Sequence, residues 1–203
     1  MTGLAAEVAL DGATNAYDRL YSYALPENCG AVPGCRVTVP FGKGNIKKQG
    51  MIFGISETVT DYLKEIISVK DEVYVMGHRM GDVDSFGASV GIYRIAEELD
   101  KKAHIVLNDV TSTMQPMVEL FQRNEDYAPD MIINNAQALE MVGNNAVLVV
   151  VDVNKPSITE CPDLLKRCKS IVVLDHHRQG SEIIENATLS YIEAYASSAC
   201  EMV

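Results

Sequence analysis

The hydrophobic pattern changes character partway along the chain. Over residues 4–57 short apolar runs alternate with polar positions, the period of half-buried strands. Ala5–Leu10, Tyr21–Leu25, Cys35–Val39 and Gln49–Ile55 each read as a strand, the second stopped by Pro26 and the third by Pro40. Turn formers stand between them: Asp11-Gly12, Asn28-Cys29-Gly30, Pro33-Gly34 and Gly42-Lys43-Gly44. A small barrel or a sandwich fragment fits, with edges that need covering. The composition shifts near Ser56–Asp61, and Asp61–Ile67 has apolar residues at 63, 66 and 67, a helical spacing.

From there solid apolar runs alternate with amphipathic ones. Glu72–Met76, Ala103–Leu107, Met131–Ile133, Ala146–Val151 and Ser170–Leu174 read as buried strands, and Leu189–Ile192 as an edge strand. Ser85–Leu99, Met117–Phe121, Ala136–Val142 and Cys161–Cys168 read as helices, the first burying Val90, Ile92, Ile95, Ala96 and Leu99. Ser197–Val203 reads as the first turns of another helix, with Ser197 or Ser198 as cap and Glu201 placed for a capping box. Strands alternating with helices predict an α/β fold with a doubly wound, mostly parallel sheet. The expected organisation is a small all-β segment over residues 1–57 followed by an α/β domain over 58–203.

Bulk properties narrow the function. The 203 residues suffice for one sizeable core, or one domain plus an appendage. A net charge of −11 removes any general attraction to nucleic acid or anionic lipid. Lys43, Lys47 and Lys48 are the exception, a local basic turn whose three charges bind phosphate weakly against an acidic remainder. No apolar run approaches the roughly 20 residues of a spanning helix, and residues 1–7 lack the features of a secretory signal. The expectation is a cytoplasmic protein. The cysteines are scattered and read as reduced thiols; Cys29 and Cys35 suit a disulfide or half a zinc site, which nothing completes.

Chemistry concentrates where three apolar runs end. Val73–Met76 is followed by His78-Arg-Met-Gly-Asp82-Val-Asp84, Val147–Val151 by Asp152, and Ile171–Leu174 by Asp175-His176-His177. In a doubly wound sheet ligands bind beyond the carboxyl ends of strands, so all three clusters fall where a site forms. Imidazole with carboxylate, and no thiolate, suits Mn²⁺, Zn²⁺ or Fe²⁺ rather than Ca²⁺. Asp82 and Asp84 are spaced to serve one ion each, with Asp152 between them, and a cation pair about 3.5–4 Å apart acts on phosphoryl groups. The helix starting just after Asp84 turns its N-terminus to the same region and favours phosphate. His104, inside a strand, reads as packing.

Two resemblances follow from these stretches. His78-x-x-x-Asp82-x-Asp84-Ser-Phe-Gly-Ala, Asp152-Val-Asn-Lys-Pro156 and Asp175-His176-His177-Arg178 resemble the motifs of DHH-family phosphoesterases. With Tyr191-Ile-Glu-Ala-Tyr-Ala-Ser-Ser198 they most resemble its GdpP-type cyclic-di-AMP phosphodiesterases, from about residue 60 onward. The resemblance implies two Mn²⁺ ions: His78 and Asp82 on one, Asp84 and His176 on the other, Asp152 bridging. It also implies that His177 and Arg178 face the phosphate, that Ser197 and Ser198 lie near substrate, and that the substrate is a cyclic dinucleotide or a short oligonucleotide. Gly81 stands where the family usually has Pro. Val203 comes before a further metal-binding Asp and the DHHA1 domain of that family, so weak or no catalysis is expected of this stretch.

The earlier part resembles the start of the primosomal helicase PriA. Ala6–Leu10, Asn15-Ala-Tyr17-Asp-Arg-Leu-Tyr21-Ser-Tyr23-Ala-Leu-Pro26 and Gly34-Cys-Arg-Val-Thr-Val-Pro40-Phe41-Gly42 carry the likeness. It implies the first part of a DNA-binding module that recognises a 3′ end at stalled forks; Lys43, Lys47 and Lys48 read as a solvated basic turn, with a contact to single-stranded DNA as the alternative. No Gly-x-x-x-x-Gly-Lys-Ser/Thr helicase signature occurs.

Overall fold

The computed structural model describes residues 4–11, 20–25, 29–41, 46–57 and 59–203. They fall into two compact units, Met1–Tyr62 and Leu63–Val203. The first is a four-stranded antiparallel sheet of β1 (Leu4–Leu10), β2 (Leu20–Ala24), β3 (Arg36–Phe41) and β4 (Ile46–Glu57), in the order β2-β1-β4-β3. Ala6, Val8, Leu10, Val39 and Ile52 form its core. Tyr21 on one edge strand meets Phe41 on the other, ring centroids 5.1 Å apart. The sheet therefore coils towards a barrel, the arrangement expected of its alternating pattern.

Two details differ from the sequence reading. β3 runs through Pro40, which is tolerated because β3 is an edge strand and loses no ladder bond on its outer side. Lys47 and Lys48 lie in β4 rather than in a turn, paired with Pro40 and Val39. Neighbours on a strand point to opposite faces, so the two lysines do not form one basic patch. Lys48 instead places its ammonium 5.6 Å from the Phe41 ring centroid. Lys43 lies outside the described residues. Cys29 and Cys35 are free thiols, as are Cys161, Cys168 and Cys200.

α1 (Val59–Ser68) spans the boundary between the units. The second unit is a six-stranded sheet in which every pairing is parallel. Its strands are β5 (Glu72–Met76), β6 (Lys102–Val106), β7 (Ile132–Ile133), β8 (Ala146–Val151), β9 (Ser170–Asp175) and β10 (Leu189–Ile192). The order is β10-β9-β8-β5-β6-β7. From β5 the chain winds outward through β6 and β7, then returns to lay β8 on the other side of β5 and winds out again. β5 and β8 are thus the topological switch point.

Parallel strands are buried on both faces, which is why β5, β8 and β9 are solid apolar runs rather than alternating ones. Tyr74, Met76, Leu148, Val150, Ile171 and Val173 point to one face with Ala138 and Leu164. These last two belong to α4 (Asn135–Met141) and α5 (Pro162–Arg167). Val73, Val75, Val147, Val149 and Val172 point the other way and are equally buried. α2 (Val83–Glu98) lies against β5, β6 and β8, and α3 (Gln115–Gln122) completes the helices. α2 buries Phe86, Ile92, Tyr93 and Ala96, while Val90, Ile95 and Leu99 of the predicted stripe are only half-buried. His104 is fully buried in β6 beside Tyr74. No helix among the described residues is long and apolar enough to cross a membrane.

Candidate metal centre

The loops that leave β5 and β8 are laced together above the switch point. Arg79 N–H donates to Ile158 O (3.0 Å), Glu160 N–H donates to Gly77 O (2.8 Å), and His78 pairs with Thr159. Gly77 lets the start of α2 approach the end of β5. A Cβ there would stand 1.8 Å from Ser85 Oγ and 3.2 Å from Ser85 Cβ, so rotating the hydroxyl alone does not clear it. Gly77→Ala is therefore expected to cost about 1–3 kcal/mol by overpacking, read as a lowered urea midpoint at unchanged m-value.

α2 begins at Val83, two residues earlier than its apolar spacing suggests, because Asp82 is its N-cap. Asp82 Oδ1 accepts the Ser85 N–H at 2.9 Å, satisfying a helix-start donor. Its other oxygen, Oδ2, stands 3.7 Å from His78 Nε2. Asp84 lies in the first helical turn, where a carboxylate complements the helix dipole. Its Oδ2 is 3.5 Å from His176 Nε2. Two residues, roughly half a helical turn, thus separate the two acidic groups and aim each at a different histidine.

Asp152 stands between those histidines. It is the first residue beyond β8, 2% exposed, with its N–H on Leu174 O at 2.9 Å. Its φ of 60° is left-handed, a region that Asp tolerates better than most residues but still at a cost of about 1–2 kcal/mol. Oδ2 is 3.5 Å from His78 Nε2, and Oδ1 is 3.2 Å from His176 Nε2 and 3.6 Å from His177 Nδ1. Oδ1 is buried and accepts no hydrogen bond, which a carboxylate seldom endures without a cation. The donor atoms gather into two groups that share this residue, His78 with Asp82 and Asp152, and Asp152 with His176 and His177.

The histidines are held from behind. His176 Nδ1 faces Ala196 O at 3.3 Å, so it carries the proton and leaves Nε2 free towards Asp84 and Asp152. His177 Nδ1 lies 2.8 Å from Asp175 Oδ1, which also takes the His177 N–H at 3.1 Å. Asp175 is wholly buried, and Asn154 Nδ2 donates to its Oδ2 at 2.5 Å and to His177 O at 3.3 Å. The Asp152 carboxylate beside His78 raises that imidazole's pKa, against the opposing effect of burial. Burial alone would raise Asp84. The N–H groups of Cys200 and Ala199 and the neighbouring His176 outweigh it and hold the carboxyl below its ordinary range.

The structure brings His78, Asp82, Asp84, Asp152, His176 and His177 together. Arg178 is exposed, one residue beyond His177 in the chain. Ser197 and Ser198 open the turn whose next two residues reach Asp84. Ser197 donates its N–H and Oγ to Glu201 Oε2, both at 2.7 Å, and Ser198 Oγ accepts the Glu201 N–H at 3.2 Å. The predicted helix start is a 3-10 turn, Ala199–Glu201, capped by Ser198. Sequence reasoning gave no role to Asn154 or to the buried Glu160, which binds Asn108 beside His78. It also missed the backbone N–H groups on Asp84, which no residue type announces.

Comparison with known proteins identifies the family and the fold. Residues 72–203 match the DHH family, N-terminal domain, and residues 7–90 match the 3'DNA-binding domain (3'BD). The two matches overlap over 72–90, which the structure builds into β5 and α2. The cyclic-di-AMP phosphodiesterase PdeA of Listeria monocytogenes is 38% identical over 151 residues, 73% of this chain and 23% of its own length. The cyclic-di-AMP phosphodiesterase GdpP of Bacillus subtilis is 35% identical over 150 residues, again 73% of this chain and 23% of its own. The chain thus spans under a quarter of either relative. An exopolyphosphatase-related protein from Bacteroides fragilis shares the fold, with a TM-score of 0.54 at 19% identity over 70% of this chain and 40% of that one. A match across well over half of the chain, falling on the sheet whose carboxyl edge gathers these carboxylates and histidines, decides the assignment: the chain belongs to the DHH family.

Proposed function

We propose that the cluster is a two-manganese phosphodiesterase centre acting on cyclic-di-AMP. The observation that carries the reading is Asp152, whose two buried oxygens divide the ligand groups and one of which accepts no hydrogen bond. The donor set fits the ion: imidazoles and carboxylates with no thiolate among them, their atoms within 4.8 Å of one another in each group. The substrate is proposed from the relatives named above.

His78 and Asp82 would hold one ion, Asp84 and His176 the other, and Asp152 would span both. Bound there, a manganese pair supplies an acidified water and offsets charge developing on phosphorus. His177 is 57% exposed, its Nδ1 turned inward to Asp175, so its Nε2 faces outward where a phosphodiester arrives. That ring donates a hydrogen bond to a phosphoryl oxygen or passes a proton to the departing ribose oxygen. Arg178 beside it supplies a fixed positive charge for the remaining phosphate oxygens.

The test is a product screen with and without Mn²⁺ across cyclic-di-AMP, short RNA and single-stranded DNA. Manganese-dependent opening of cyclic-di-AMP to the linear dinucleotide is expected, in preference to the linear substrates. Preferential trimming of short RNA or DNA would move the protein to the nuclease side of the same chemistry. The match over residues 7–90 favours a second reading for the small unit, a contact with single-stranded DNA 3′ ends. Salt-sensitive binding of 3′-ended strands in the same screen supports it.

A further inference from the structure

The Asp84 carboxylate is engaged from two sides. On one side its Oδ2 stands 3.5 Å from His176 Nε2. On the other it accepts two backbone N–H groups, Ala199 to Oδ2 at 2.8 Å and Cys200 to Oδ1 at 2.9 Å. These are the opening donors of the Ala199–Glu201 turn, which have no acceptor within the turn itself. The Cys200 thiol adds a contact to Asp84 O at 3.3 Å.

The turn comes this close because α2 presents no side chain along its path. Gly87 and Gly91 lie one helical turn apart beneath it. A Cβ on Gly87 would stand 2.7 Å from Cys200 Sγ, and one on Gly91 would stand 2.6 Å from Val203 Cγ1. Each glycine costs a helix interior about 0.5–1 kcal/mol relative to alanine. Seating the turn is what the helix obtains in return. A carboxylate oxygen has two acceptor positions, so an N–H bond to each oxygen leaves the His176 side open for a cation.

We propose that the Ser198–Val203 turn, seated on Gly87 and Gly91 of α2, is a positioning clamp that orients the Asp84 carboxylate for the ion it shares with His176. The inference rests on the two-manganese reading. Partners of this kind behind a ligating group restrict its rotamers, and losing them weakens metal binding by about 10–100-fold. A turn that merely packs the end of the chain would leave metal affinity untouched.

The experiment uses Gly87→Leu in the full 203-residue chain. Leucine forms helix better than glycine, so α2 persists while the new side chain takes the space of Cys200. Manganese binding is followed by the electron paramagnetic resonance of the free ion, and the Ala199 and Cys200 amides by hydrogen exchange. The wild-type chain is expected to bind two ions and to protect both amides. In G87L both amides should exchange freely and one of the two sites should weaken about 10–100-fold, the other keeping its affinity. If G87L does not fold, Gly87→Ala replaces it. That variant should weaken the same site, and Cys200→Ala in the same chain, by removing the clashing sulfur, should restore it. Two sites of unchanged affinity despite freely exchanging amides would overturn the clamp and leave the metal centre standing. A wild-type chain that binds no manganese would instead overturn the two-ion reading, and the clamp with it, before any variant is made.

Discussion

Asp152→Asn is expected to abolish manganese-dependent hydrolysis and to weaken metal binding by more than about 100-fold, while leaving the metal-free fold intact or slightly more stable. Asparagine keeps the shape of the side chain and tolerates the left-handed backbone at this position, where φ is 60°. What it removes is the charge, and one buried oxygen of that carboxylate accepts no hydrogen bond. A group held in a costly conformation, buried and incompletely paired, is what the proposed ligand role predicts, since such a group adds little to stability. Calorimetric manganese titration and thermal unfolding without metal measure the two halves separately. Wild-type manganese affinity in D152N would remove Asp152 from the centre. A large loss of metal-free stability would mean that the residue serves the fold.

Asp82 allows a sharper separation, because its two oxygens do different work. Oδ1 caps α2 through the Ser85 N–H, and Oδ2 faces His78. Asp82→Ser keeps a capping hydroxyl and loses the second oxygen, whereas Asp82→Ala loses both. Both variants should lose metal affinity to a similar extent, roughly 10–100-fold. Only D82A should also lose stability, by about 1 kcal/mol, seen as a lower denaturant midpoint in metal-free protein. If D82S binds manganese as the unaltered chain does, the Asp82 carboxylate is a cap and no more.

Much of the fold is legible in the sequence. β5, β8 and β9 show as unbroken apolar runs because a parallel sheet buries both of their faces, and the ligand-bearing residues sit at their carboxyl ends. The start of α2 was not legible. Its first turn is given to Asp82, Val83 and Asp84, so no buried apolar residue marks it. Asp175 carried no role of its own in the sequence, since an acid that braces a histidine and an acid that binds an ion are the same residue type. Only the hydrogen bonds from Asn154 and His177 distinguish them. Lys47 and Lys48 read as a turn because they are polar. Pairing with β3 draws them into a strand, where local composition yields to the ladder. The donors on Asp84 are backbone groups, and every residue but proline has one.

The switch-point pairing also bears on the order of assembly. β5 and β8 are register partners from Glu72 with Ala146 to Met76 with Val150, yet β6, β7 and three helices lie between them in sequence. The halves of the centre, His78 and Asp82 on one loop and Asp152 on the other, therefore meet only after a long stretch of chain has closed, a slow kind of contact. An ion held there, as proposed, would find its site only in the nearly finished protein. It would do little to hasten folding, and would act chiefly as a latch that slows escape from the native state.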